Sequence, residues 1–149
     1  MDFIEELEWR GMLQDMSPDT AEWLHNGIRK AYIGFDPTAP SLTLGNYLQL
    51  MTLTLLQKSG HLPIVLMGGA TGRIGDPSGK DTERQLKSTE EIRQNLEAQS
   101  RQIRRLMAGT NGGEMPIILD NFIFYESMNA LDFLRDIGKA LTVNYMLSK

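Results

Sequence analysis

The stretch KAYIGF (residues 30–35), DPTAPS (36–41), LTLGNYLQLMTLTLLQK (42–58) and LPIVLMG (62–68) decides the fold. The first and last pieces are short apolar runs, which read as buried strands. The run 62–68 shows no alternation, as suits a parallel strand covered on both faces. Between them, Leu44, Tyr47, Leu48, Met51, Leu55 and Leu56 recur at helical spacing, and Gly60 closes the segment. Strand, loop, long helix and strand make one right-handed βαβ unit, the start of a doubly wound sheet.

Outward from this unit, residues 2–13 place Phe3, Ile4, Leu7 and Leu13 at roughly helical spacing. Ser17-Pro18-Asp19 reads as a second helix start: a hydroxyl cap, a proline in the first turn and an acid near the positive end. That helix is expected to stop at Gly27. Residues 69–87 carry glycines, a proline and many charges, and read as a long functional loop. Ser88 and Glu91 have capping-box spacing and open a helix of about 20 residues, with Ile92, Leu96, Ile103 and Met107 on one face. A turn at 110–114, a third strand at 115–120 and a helix near 129–137 follow. The fold expected is α/β, a Rossmann-like parallel sheet with flanking helices, incomplete in this stretch of sequence.

Bulk properties exclude several classes. The 149 residues suffice for one domain. There is no cysteine, so neither disulfides nor thiolate metal sites arise. The two histidines, His25 and His61, lie far apart, which argues against a metal hydrolase, and no metal site is expected. The net charge of −4 does not suit non-specific DNA binding. Arg101, Arg104 and Arg105 cluster, but read as a solvated helix face. Neither a signal peptide nor a run near the ~20 apolar residues needed to span a bilayer is visible. No membrane association and a cytoplasmic location are the expectation.

The turn after the first strand has a chemical purpose. A helix N-terminus offers unpaired backbone N–H groups and partial positive charge, so it attracts phosphate. Gly45 leaves room for a flat base or ribose against the backbone. Thr38, Thr43 and Asn46 offer neutral donors nearby. The same pattern also fits a capped core helix after a tight loop.

The stretch YIGFDPTAPSLTLGN (32–46) closely resembles the signature of class I aminoacyl-tRNA synthetases, specifically the bacterial tyrosyl enzymes. So do GGATGRIGDPSGK (68–80) and FLRDIGKALTVNYMLSK (133–149), in family order and spacing. The resemblance covers essentially the whole chain, and implies that residues 1–149 are the N-terminal part of the catalytic domain, with 1–29 a helical segment within it. One departure stands out: Thr43-Leu44-Gly45-Asn46 occupies the place of the family's His-Ile-Gly-His. Thr-Ile-Gly-Asn is familiar in tryptophanyl-tRNA synthetases, the natural alternative within the class. A nucleotide- or RNA-binding module that lost catalysis is an alternative from outside it.

By resemblance, Tyr32 reads the substrate phenol, and Asp76, Thr71 and Asn121 surround the amino-acid end. Gly34 and Asp36 face the adenylate. Thr38, Thr43, Gly45 and Asn46 contact ATP, and Lys80 with Arg84 neutralises the pyrophosphate leaving group. The implied reaction activates L-tyrosine with ATP, accompanied by Mg²⁺, and passes tyrosine to tRNA(Tyr). Family members are homodimers, with an interface expected near 125–149. Phe133, Leu134, Ile137, Val143 and Met146 fit that interface, or equally packing within one chain. The family's Tyr-x-x-x-Gln-x-x-Asp helix, its Lys-Met-Ser-Lys-Ser loop and its anticodon-binding domain are not in this sequence, so these residues alone are expected to be inactive.

Overall fold

A computed structural model describes residues 2–74, 87–108 and 115–147. The expected turn at 110–114 and most of the loop 69–87 fall outside these residues. Helix α1 (Phe3–Trp9) is capped by Asp2, whose carboxylate accepts from the Glu5 N–H at 2.8 Å. That bond, then His25 Nε2 at 2.5 Å, holds the Asp2 carboxyl below its usual range. The helix ends before Gly11, which takes φ +65°.

Helix α2 (Thr20–His25) begins later than Ser17. Asp19 adopts a left-handed conformation, φ 64°, that cannot belong to a helical turn, and Ser17 instead accepts from Thr20. Ser17-Pro18 is therefore a turn leading into the helix.

Strand β1 (Lys30–Phe35), helix α3 (Leu44–Lys58) and strand β2 (Leu62–Met67) form the expected unit. A short helix α4 (Thr71–Ile74) and the long α5 (Thr89–Met107) lead to β3 (Ile117–Asp120). A 3-10 turn (Asn121–Phe124), α6 (Ala130–Asp136), a second 3-10 turn (Gly138–Ala140) and α7 (Val143–Leu147) follow. The sheet is parallel throughout, in the order β1-β2-β3, with Tyr32 opposite Ile64 and Ile64 opposite Ile117.

Strand alternation sends Phe35, Val65 and Met67 to one face. There they meet Leu50, Leu53 and Leu56 of α3 and Ile103 and Met107 of α5. Each such side chain contributes roughly 1.5–3 kcal/mol on burial. The opposite face is not covered among the described residues. Tyr32 and Ile117 are exposed there, and Ile64, Leu66 and Leu119 are half-buried. The strands were expected to be covered on both sides, so this face is a correction.

The buried side of α3 also differs from expectation. Leu44, Tyr47 and Leu48 are exposed, while Leu50, Leu53, Thr54, Leu56 and Gln57 are buried with Leu55. The apolar residues of this helix are spread around its circumference, so periodicity alone does not choose one stripe. On α5 the expected face holds: Ile92, Ile103 and Met107 are buried, with Leu96 packed against the core. Two amides, Asn95 and Gln99, are buried on that same face. In the final segment no residue of α6 or α7 is buried: Phe133, Leu134, Val143 and Met146 are exposed and Ile137 is half-buried, with the Phe133 ring 6.3 Å from that of Tyr125.

Candidate functional site

Three strand ends meet at the carboxyl edge of the sheet, where open α/β folds bind ligands. β1 hands on to Asp36, β2 to Gly68-Gly69-Ala70-Thr71, and β3 to Asn121. Gly68 N–H donates to the Phe35 carbonyl at 2.8 Å, extending the ladder by one step. The Thr71 hydroxyl donates to Asp36 Oδ1 at 2.8 Å, and the Asn121 amide donates to Thr71 Oγ1 at 3.4 Å. Asn121 Oδ1 in turn accepts from Ala70 N–H at 2.7 Å. Three residues named from sequence, Asp36, Thr71 and Asn121, thus form one connected network across all three strands.

The network requires two glycines. A Cβ on Gly68 would lie 2.2 Å from Asp36 Oδ1 and 2.5 Å from Thr71 Oγ1. A Cβ on Gly69 would lie 2.1 Å from Asp120 Oδ1. That oxygen accepts from Gly69 N–H at 3.1 Å and from Phe122 N–H at 2.9 Å. Asp120 therefore joins β3, the loop after β2 and the 3-10 turn through one atom. The guanidinium of Arg73 stacks 3.9 Å from the Phe122 ring, a second tie between the same elements. Asp120, Arg73 and the structural need for Gly68-Gly69 were not read from sequence. The visible signal was a glycine pair directly after an apolar strand and an Asp-Asn pair directly after another.

Tyr32 and Gly34 share the open face of β1. Tyr32 is 67% exposed, and a Cβ on Gly34 would meet nothing within 4 Å. By strand alternation Asp36 continues that face past the strand end. Tyr32, Gly34 and Asp36 thus lie on an open face rather than in a packed interior.

At the start of α3, Thr43 and Asn46 form a reciprocal capping box. Asn46 N–H donates to Thr43 Oγ1 at 3.3 Å, and Thr43 N–H donates to Asn46 Oδ1 at 3.0 Å. The Thr43 hydroxyl also donates to Asn46 Oδ1 at 2.9 Å, and the Asn46 amide donates to Gln49 at 3.1 Å. These donors were expected to face a ligand, and in this structure they serve the helix start. A Cβ on Gly45 would meet only Thr43 Oγ1, at 3.7 Å, so the space beside it is open. Thr38 is exposed one turn of loop away, its N–H donating to the Asp36 carbonyl at 2.8 Å. Thr43→Ala should cost about 1 kcal/mol of stability, and Thr43→Ser much less. Urea unfolding checks this, and an unchanged midpoint for the alanine variant contradicts the cap.

Asp76, Lys80 and Arg84 lie outside the described residues. Among the described residues, no group of three or more His, Asp or Glu side chains is placed to hold a metal ion. No helix of the described residues is long and apolar enough to cross a membrane.

Residues 25–149 match the family described as tRNA synthetases class I (W and Y). A protein from Cytophaga hutchinsonii named tyrosine–tRNA ligase is 47% identical over 147 residues, 99% of this chain and 34% of that protein. A protein of the same name from Roseiflexus castenholzii is 46% identical over 146 residues, 98% of this chain and 34% of its own length. The solved structure of a C-terminally truncated Aspergillus nidulans mitochondrial tyrosyl-tRNA synthetase is similar with a TM-score of 0.77 at 28% identity. It covers 99% of this chain and 45% of that one. The chain spans about a third of the length of the curated relatives it matches.

Proposed function

The chain belongs to the family of class I tRNA synthetases (W and Y), and we propose that it is the N-terminal part of a tyrosine–tRNA ligase. The ligase activates L-tyrosine with ATP and transfers it to the 3′ end of tRNA(Tyr). The observation that supports this best is the joining of Asp36, Thr71 and Asn121 beside the open Tyr32–Gly34 face. It stands together with relatives of that name matching along the whole chain.

In the first step the tyrosine carboxylate attacks the α-phosphorus of ATP. An O–P bond forms, and the bond to pyrophosphate breaks. No covalent enzyme intermediate and no strong base is needed, so catalysis is positioning and charge stabilisation. Residues 1–149 carry the first part of the catalytic domain, with 1–29 as its helical entry. Tyr32 meets the phenol, and Asp76 with Thr71 and Asn121 surrounds the ammonium end. An ionised carboxylate facing an ammonium gives a strong, directional contact. Gly34 and Asp36 line the adenylate. Thr38, Gly45 and the Thr43–Asn46 helix start approach the phosphates. Lys80 and Arg84 take up the charge of departing pyrophosphate, and Mg²⁺ arrives with ATP, held mainly by its phosphates.

In the second step the terminal ribose hydroxyl of the tRNA attacks the acyl carbon, and AMP leaves. The exposed apolar residues Phe133, Leu134, Val143 and Met146 suit a homodimer contact. A cytoplasmic location accords with this role.

The full-length protein should charge tRNA(Tyr) with labelled tyrosine, while the isolated 149 residues should support neither charging nor tyrosine-dependent ATP–pyrophosphate exchange. Full-length protein that charges no tRNA, or exchange by the short chain, contradicts the corresponding part of this reading.

A further inference from the structure

We propose that Asn95, Gln99 and Gln102 of α5 are positioning residues that set the place of the loop 36–42, and through it the ATP end of the site. The inference rests on the ligase reading for its nucleotide, but its geometry is independent of that reading. The three amides are spaced four and three residues apart, so they project from one side of the helix. Asn95 Nδ2 donates to the Pro37 carbonyl at 3.1 Å and Gln99 Nε2 to the Ala39 carbonyl at 2.9 Å. Gln102 uses both ends: Nε2 donates to the Pro40 carbonyl at 3.4 Å, and Oε1 accepts from Leu42 N–H at 3.0 Å.

Asn95 and Gln99 are only 5% and 2% exposed, on a face otherwise built from Ile92, Ile103 and Met107. An apolar side chain would pack there more readily, so the amides answer a need of the loop. That need is specific. Pro37 and Pro40 have no N–H to donate, and the loop's own backbone bond is the tight turn in which Thr38 N–H donates to the Asp36 carbonyl at 2.8 Å. Its carbonyls at 37, 39 and 40 are fixed from outside instead. Thr38 is exposed between two pinned neighbours, and Asp36, joined to Thr71, begins the loop. Leu42, pinned by Gln102, immediately precedes the Thr43 cap of α3. Helix α5 thereby pins the loop on both sides of Thr38 and at Leu42, the residue before the α3 cap.

The test uses Gln99→Met and Gln102→Met in the full-length protein, which keep side-chain length and remove the hydrogen bonds. In ATP–pyrophosphate exchange the KM for ATP should rise on the order of tenfold, with the KM for tyrosine within about twofold. Backbone hydrogen exchange in the segment 36–46 should quicken in both variants, most at Leu42 in Gln102→Met. Unchanged exchange in that segment, or an ATP KM within twofold of the parent, overturns the proposal. So does a fall in apparent kcat with both KM values unchanged, which loss of folded protein alone would give. If the parent protein shows no pyrophosphate exchange, the ligase reading fails, and the hydrogen-exchange comparison still decides the positioning role.

Discussion

Replacing Gly69 with alanine should destabilise the protein by about 2–4 kcal/mol and lower its activity on the order of 100-fold. A methyl group there would sit 2.1 Å from Asp120 Oδ1 and 2.6 Å from its Cγ. Asp120 has a short side chain, so it escapes only by rotating away. Rotation breaks the bonds from Gly69 N–H and Phe122 N–H together. Each lost hydrogen bond costs about 0.5–1.5 kcal/mol, more when a partly buried group is left unpaired. The same shift moves Ala70 and Thr71, and with them the contacts to Asn121 and Asp36. Gly34→Ala provides the contrast. Its Cβ meets nothing, so stability should hold while activity falls, because Gly34 borders the proposed adenylate site. Urea unfolding and exchange kinetics on both variants check this. Equal stability for the parent protein and Gly69→Ala contradicts the junction described above.

The second large effect concerns the choice of amino acid. The full-length protein should reject phenylalanine by about 10⁴-fold or more relative to tyrosine, a figure carried over from tyrosyl-tRNA synthetases themselves. Its physical basis is that a site built to hydrogen-bond a hydroxyl leaves its own polar groups unpaired when the hydroxyl is missing. Tyr32 is the residue of this chain proposed to read the phenol. Tyr32 lies on the open face of the sheet, its strand paired in register with Ile64. Tyr32→Phe should therefore lower the preference for tyrosine over phenylalanine by roughly tenfold, with little change in the KM for ATP. The ratio of kcat/KM values for the two amino acids measures it. An unchanged ratio removes Tyr32 from that role.

The elements most legible in the sequence were those whose pattern admits one answer. KAYIGF and LPIVLM are short apolar runs bounded by turns, and they became β1 and β2. Ser88 capped α5 as its spacing with Glu91 suggested. Where the pattern was degenerate, reading failed. Helix α3 is apolar almost all round, so its buried stripe was set by the sheet beneath it. Ser17-Pro18-Asp19 has the chemistry of a helix start, yet the left-handed backbone at Asp19 delayed the helix.

In the candidate site, Asp36, Thr71 and Asn121, which the structure joins, could be named because their types and spacing carry the family pattern. Asp120 was not, since its partner Gly69 lies 51 residues away in sequence. Asn95 and Gln99 look like ordinary polar positions on a charged helix. Only packing reveals that they face inward and hold carbonyls about 60 residues distant. Side-chain bonds of such range leave no local periodicity to read.

The carboxyl edge of this sheet is where we propose that tyrosine is activated. ATP–pyrophosphate exchange by the full-length protein, driven in turn by tyrosine, tryptophan and phenylalanine, tests it most directly. Exchange with tyrosine alone, exceeding the other two by at least about 10³-fold, is the predicted result. Exchange driven by tryptophan would assign the chain to the other branch of its family, and exchange with none of the three would contradict the account.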